Sequence, residues 1–166
     1  MLILIEGVDG SGKSTLCKQL EEKGYKIYKD ERDFDANRLC AVQNMWSSPV
    51  KYVCDRSFVT DIIYRTVYGG KHGPTSFNKA IKFLDQNYRK DSCKVIYCNS
   101  LTAFEDSMKR GEDNVMTASE SVMLRRHYES FLNICNEWLK LDVMRYDWHY
   151  DNVDDAIKFI EGGKNI

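Results

Sequence analysis

Eight consecutive residues, Gly7-Val8-Asp9-Gly10-Ser11-Gly12-Lys13-Ser14, satisfy G-x-x-x-x-G-K-[ST] at every fixed position. Glycines at this spacing let successive backbone N–H groups turn inward and surround phosphate oxygens. Lys13 can then reach the outer phosphates of a nucleoside triphosphate such as ATP, and the Ser14 hydroxyl can join the shell of a Mg2+ ion. The expected triphosphate-binding residues are therefore Gly7, Gly10, Ser11, Gly12, Lys13, Ser14 and Thr15. A second group follows at Tyr52-Val53-Cys54-Asp55-Arg56-Ser57. An acid at the tip of a strand beside a phosphate cradle can hold Mg2+, directly or through water, which nominates Asp55. Its neighbour Arg56 can neutralise a second anion.

These residues need particular elements around them. The cradle requires a strand before it and a helix after it. Residues 1–5 are an unbroken apolar run, as in a strand covered on both faces, and Leu16, Gln19 and Leu20 open a helical pattern. The helix N-terminus adds its partial positive charge to the cradle. Further strands are expected over 25–29, 50–55, 94–98 and 142–146. Helices are expected from Ser76 through Tyr88, over 102–110, over 119–141 and over 153–161. In the long one, Leu124, Tyr128, Phe131, Cys135 and Trp138 fall on a single stripe. Strands separated by helices imply an α/β protein with a parallel sheet covered on both faces, five strands in all. Ligands in such folds sit at the carboxyl ends of the strands, where Asp9 and Asp55 stand.

Composition narrows the class. The chain has 166 residues, enough for one domain with a substantial core. Its net charge of −1 offers no basic field for nucleic acid or an anionic membrane. No apolar run approaches membrane-spanning length, and the first residues lack the basic flank of a secretion signal. The six cysteines form no C-x-x-C pair and have no histidine partners at zinc spacing, so buried thiols in a reducing cytoplasm are expected.

The stretch Ile5-Glu6-Gly7-Val8-Asp9-Gly10-Ser11-Gly12-Lys13-Ser14-Thr15 resembles the opening of thymidylate kinases, including the acid at the third loop position. Phe34-Asp35-Ala36-Asn37-Arg38 resembles that family's Phe-x-x-x-Arg segment. Asp55-Arg56-Ser57, with Tyr64 further on, is similar to its Asp-Arg-Tyr segment, and Lys109-Arg110-Gly111 to the start of its lid. The chain is identified as similar to a compact, phage-type member of the thymidylate kinase and deoxynucleoside kinase superfamily. The resemblance implies a three-layer P-loop kinase fold comprising residues 1–166, with a small lid at about 109–118. It also implies Mg2+ and ATP as phosphoryl donor, a small nucleotide as acceptor, and a homodimer formed through helices such as the apolar one after Thr60.

By the same resemblance, Asp9 faces the acceptor's 3′-hydroxyl, Phe34 stacks on its base, and Arg38 binds the base edge or the phosphate. Arg56 clamps the acceptor phosphate and Tyr64 closes the sugar pocket. Because Gly10-Ser11 stands where some thymidylate kinases carry an arginine, cations must come from the lid, and Lys109 and Arg110 are the candidates, with Gly111 as hinge. Arg125 and Arg126 are further basic residues, Arg126 lying opposite the apolar stripe.

The chain departs from the family pattern at several points. It is shorter, with Lys29-Asp30-Glu31-Arg32-Asp33 replacing a longer loop and helix, and Glu112-Asp113-Asn114-Val115-Met116 has no arginine. Asp55-Arg56-Ser57 followed by Asp61 echoes deoxynucleoside kinases, and a carboxylate at Asp61 prefers a base that donates a hydrogen bond. Three readings follow. A deoxynucleoside monophosphate kinase fits the basic residues Arg32, Arg38 and Arg56. A deoxynucleoside kinase needs a general base at a 5′-hydroxyl, for which Glu31 is placed; a kinase acting on a hydroxyl in DNA is a variant that the absent basic surface disfavours. A nucleotide-dependent switch lacks a guanine-reading Asn-Lys-x-Asp, since Asn78-Lys79-Ala80-Ile81 has no acid.

Overall fold

The computed structural model of the protein describes residues 1–29, 44–45, 47–69, 77–87, 93–111 and 116–162. Among these, strands β1 (Leu2–Glu6), β2 (Lys26–Tyr28), β3 (Tyr52–Asp55), β4 (Cys93–Cys98) and β5 (Asp142–Tyr146) form one sheet ordered β2-β3-β1-β4-β5. Every neighbouring pair is parallel. The described helices are α1 (Lys13–Glu22), α2 (Phe58–Tyr68), α3 (Phe77–Asn87), α4 (Ala103–Lys109), α5 (Ala118–Glu137) and α6 (Val153–Ile160).

Alternation along the strands divides the core in two. Leu2 and Leu4 of β1 join Phe58, Val59 and Ile62 of α2 and Leu124, Tyr128 and Phe131 of α5. Ile3 and Ile5 face the other way, onto Leu16 and Leu20 of α1 and Ala156, Phe159 and Ile160 of α6. Burying each large aliphatic side chain contributes about 1.5–3 kcal/mol, which is why the apolar runs choose a doubly covered sheet. The expected α/β architecture, a parallel five-stranded sheet between two helical layers, is the one found.

The sheet order places β1 between β3 and β4, so connections leave it in opposite directions. A crevice therefore opens at its carboxyl end, where Ile5 pairs with Asp55 and Glu6 with Tyr97. The helices beside it are started by side chains. Ser57 Oγ accepts the Val59 N–H at 3.2 Å to cap α2. Thr117 and Glu120 form a reciprocal capping box on α5, as do Asn152 and Asp155 on α6.

Two expectations shift. The long helix ends at Glu137 instead of near residue 141, and Trp138 caps it. The first four residues of the expected stripe are buried, whereas Trp138, the C-cap, is 81% exposed, and Leu139 and Leu141 after it are buried instead. The first strand also runs one residue further, taking Glu6 into the core. The five described cysteines, Cys17, Cys54, Cys93, Cys98 and Cys135, are buried and form no disulfide. No described helix is long and apolar enough to cross a membrane.

Candidate active site

The loop from Gly7 to Gly12 joins the tip of β1 to the first turn of α1. All three of its glycines have positive φ and no room for a Cβ, Gly7 because of the Cys98 carbonyl. Gly10 has φ +83°, and a Cβ there would lie 1.9 Å from the Ala103 carbonyl oxygen. Gly12 has φ +87°, and its Cβ would meet the Trp148 ring at 2.8 Å. The contact at Gly10 gives a physical reason for the absence of arginine in this part of the loop. Lys13 Nζ donates to the Val8 carbonyl at 2.6 Å, and the side chain is buried within the loop. Burial lowers its pKa, aided by Arg56, while Asp9 and Asp55 oppose that shift. A polyanion entering the loop would remove both costs.

The loop encloses a cavity of about 90 Å³ lined by residues 9–15, with Arg56 on one side and Arg110 on the other. Two arginines thus border one phosphate-sized space, where cations can offset the charge of bound anions. Asp55 and Ser14 meet the donor set of Mg2+. Asp55 is buried at the tip of β3 and its Oδ1 has no hydrogen-bond partner, an orphaned carboxylate oxygen that an ion or its water would satisfy. Ser14 is exposed in the first turn of α1. When bound, Mg2+ would neutralise charge on the donor phosphates.

On the β3 side, Arg56 Nη2 donates to Asp9 Oδ1 across the loop mouth. Arg56 has φ +67°, a left-handed conformation uncommon for residues other than glycine. Tyr64, in the second turn of α2, has a buried hydroxyl beside Asp9 and Arg56. Burial raises its pKa, so it stays a neutral phenol. Asp61 stands in the first turn of α2, half-buried. Four expected acceptor-side residues, Asp9, Arg56, Asp61 and Tyr64, therefore lie on the loop mouth and on the one helix beside it. The others, Glu31, Phe34 and Arg38, lie outside the described residues, as does Arg32.

On the β4 side, a second cavity of about 360 Å³ is lined by Gly10, Gly12, Thr15, Asp106, Lys109, Arg110 and Trp148. Trp148 was not anticipated among the site residues. It follows β5, where ligand-binding positions of parallel sheets fall, and it covers Gly12 while stacking on His149 with ring centroids 3.8 Å apart. His149 Nδ1 is 2.9 Å from Asp147 Oδ1, and its Nε2 is 3.3 Å from Thr102 Oγ1, which fixes the ring behind Trp148. Arg110 borders both cavities. Lys109 is well exposed, with its Nζ 4.0 Å from Asp106. Gly111 has φ +65°; residues 112–115 lie outside the described residues, so the proposed lid at 109–118 is seen only at its two ends. The Arg125 guanidinium donates to the carbonyl of Ser100, two residues past β4, and Arg126 is exposed. A larger cavity of about 600 Å³ lies at the opposite end of the sheet. Its charged groups satisfy one another there: Lys51 Nζ donates to Glu161 at 2.5 Å, and Tyr25 at 2.7 Å.

Phosphate loop, strand-tip acid and sheet order together define the fold of the P-loop kinases. The YorR protein of Bacillus subtilis, solved in complex with phosphorylated GDP, matches with a TM-score of 0.73 at 18% identity, over 97% of this chain and 96% of that one. Deoxyadenosine kinase from M. mycoides with bound dATP matches with a TM-score of 0.62 at 22% identity, over 98% and 100% of the two chains. Thymidylate kinase from Candida albicans matches at 0.59 and 18%, over 99% and 92%. No protein-family model matches the chain, and no curated protein matches it significantly in sequence.

Proposed function

We propose that this protein is an ATP-dependent kinase that converts a deoxynucleoside monophosphate to the diphosphate. The observation that carries this reading is the pair of arginines on either side of the cradle, Arg56 with Asp9 and Arg110 with Trp148. One cation with a sugar-hydroxyl acceptor beside it suits a nucleotide monophosphate. Arg110, bordering both cavities, suits the donor phosphates, and the aromatic face of Trp148 beside it suits the base end of ATP.

Donor phosphates would occupy the N–H groups of residues 10–15, drawing Lys13 from the Val8 carbonyl onto the outer phosphates. Trp148 would stack on the donor base, its other side backed by His149. Asp9 would accept a hydrogen bond from the acceptor's 3′-hydroxyl, Tyr64 would wall the sugar, and Arg56 would hold the attacking phosphate in line. Arg110, with Lys109 beside it, would stabilise charge spreading over the transferred group. Asp61, Phe34 and Arg38 belong to acceptor-base and phosphate recognition in this reading. Because the attacking group is already a phosphate oxyanion, no general base is needed.

A deoxynucleoside kinase is the second reading. It is supported by Ser57 and Asp61 after Arg56, and its hydroxyl acceptor would need Glu31 as base. Product analysis separates the two. γ-Labelled ATP incubated with deoxynucleosides and their monophosphates would yield labelled diphosphate under the first reading and labelled monophosphate under the second.

A further inference from the structure

Where β1 meets the glycine-rich loop, a polar cluster is sealed in the core. Glu6 ends β1 and is fully buried. Its Oε1 accepts the Ser57 hydroxyl, and its Oε2 accepts the Thr60 hydroxyl at 2.7 Å. That uses the single proton of Thr60, so the Tyr128 hydroxyl, 3.0 Å from Thr60 Oγ1, must be the donor in their contact. Ser57 Oγ meanwhile accepts the Val59 N–H as the cap of α2. Every hydroxyl proton of the cluster therefore runs toward Glu6. An ionised carboxylate, which only accepts, fits that polarity; a protonated acid or an amide brings a donor of its own and forces one hydroxyl to reverse.

The cluster brackets Arg56. The Arg56 N–H donates to the Ile5 carbonyl at 3.2 Å, and the next residue, Ser57, is tied to Glu6. A left-handed turn at a residue bearing a side chain persists only when its surroundings hold it, and here both of its flanks are pinned to the end of β1.

We propose that Glu6 is a positioning residue: by fixing Ser57 and Thr60 to the foot of the phosphate loop, it holds Arg56 in its left-handed conformation over Asp9 and sets the spacing between donor cradle and acceptor cation. The acceptor side of this statement rests on the function proposed above; the backbone side does not.

Glu6 is also placed to make that role pH-dependent. Burial raises its pKa to about 7, against the Ser57 and Thr60 hydrogen bonds and the Lys13 charge, which lower it. The titratable groups around it are Lys13 from the start of α1, Cys98 of β4, and Tyr128 and Cys135 of α5. Burial pushes Cys98 up to about 12 and raises Tyr128 and Cys135, so all three are neutral where Glu6 titrates. Asp55, on the neighbouring strand, is paired in register with Ile5 and faces the opposite layer.

The test uses two readouts on Glu6→Gln and Glu6→Asp. The first is the Arg56 side-chain Nε–H resonance in ligand-free protein, assigned by its loss in Arg56→Lys and followed from about pH 5.5 to 8.5. In the parent protein the ordered signal should grow with a midpoint near 7, the value to which Glu6 is raised. In Glu6→Gln it should be weak and independent of pH; in Glu6→Asp a titration should return. The second is steady-state kinetics with ATP and whichever deoxynucleoside monophosphate turns over fastest. Glu6→Gln should raise the acceptor KM about tenfold or more while the ATP KM stays within about twofold. An unchanged Arg56 resonance in a folded Glu6→Gln protein overturns the proposal. If that variant does not fold, Ser57→Ala and Thr60→Val remove the donors singly, and an unchanged resonance in both overturns it equally. A responsive Arg56 resonance in a protein that turns over no monophosphate upholds the positioning role and refutes the proposed acceptor.

Discussion

Arg56 donates to Asp9 across the mouth of the phosphate loop, joining the tip of β3 to the third position of the loop after β1. Both partners are partly exposed, with side chains 45% and 24% accessible, so the pair itself adds only a modest ~0.5–1 kcal/mol to stability. Its consequence is geometric: the cation and the carboxylate proposed for the acceptor are held as a unit before any ligand arrives. Arg56→Ala should lower kcat/KM for the acceptor by about 100-fold while the ATP KM moves less than about threefold. The Asp9→Ala, Arg56→Ala pair should be less than additive, because each single change already breaks the unit. Additive losses would mean that the two act separately.

Lys13→Ala should reduce phosphoryl transfer by about 1,000-fold or more, since the loop loses the only buried cation placed among its phosphate-facing groups in the described residues. The circular dichroism spectrum should be unchanged. A variant with full activity would remove the cradle assignment.

Trp148→Ala should raise the ATP KM by up to about tenfold, the range of a lost aromatic stack, without altering the acceptor KM. Trp148→Phe should recover most of the loss. Equal effects on both substrates would place the indole in loop packing through Gly12, where the Cβ contact of 2.8 Å already shows how close it lies.

The buried Glu6 predicts a particular stability profile. Its folded pKa of about 7 lies above the ordinary 4.5, so the folded protein binds more protons than the unfolded chain between these values. That contribution is fully present below about pH 4.5 and is lost as pH rises through about 7, amounting to about 3 kcal/mol over the window. Thermal midpoints of Glu6→Gln compared with the parent across this window should lack that component. An identical pH slope in both proteins would contradict the buried, titrating carboxylate.

Legibility in the sequence divided along a physical line. The strand, glycine turn and helix around residues 7–14 were readable because the motif is contiguous: the glycines, Lys13 and Ser14 follow one another and the flanking apolar runs announce strand and helix. The same holds for Asp55 and Arg56 at a strand tip. Trp148 was not read, because its placement depends on the β5–α6 connection folding back over Gly12, a contact across 136 residues of chain. The rule that directs attention to residues just after each strand reaches Trp148 when applied to β5. The apolar run that marks the first strand stops at Ile5 and leaves Glu6 without a role; only three-dimensional packing reveals the hydroxyls of Ser57, Thr60 and Tyr128 that make a buried carboxylate tolerable. Trp138 failed in the other direction. Helical spacing put it on the core stripe, but spacing does not say where the layer beneath a helix stops, and the core continues through Leu139 and Leu141 instead.

The most direct test of the account is ADP release from Mg-ATP against a panel of deoxynucleoside monophosphates and the corresponding deoxynucleosides. The account predicts turnover with at least one monophosphate, saturable in acceptor and lost in Arg56→Ala, and none with the nucleosides. Turnover with nucleosides alone would contradict it, move the chemistry to a 5′-hydroxyl and make Glu31 the residue to mutate next. ADP release indifferent to every acceptor would leave a nucleotide hydrolase or switch in place of a kinase.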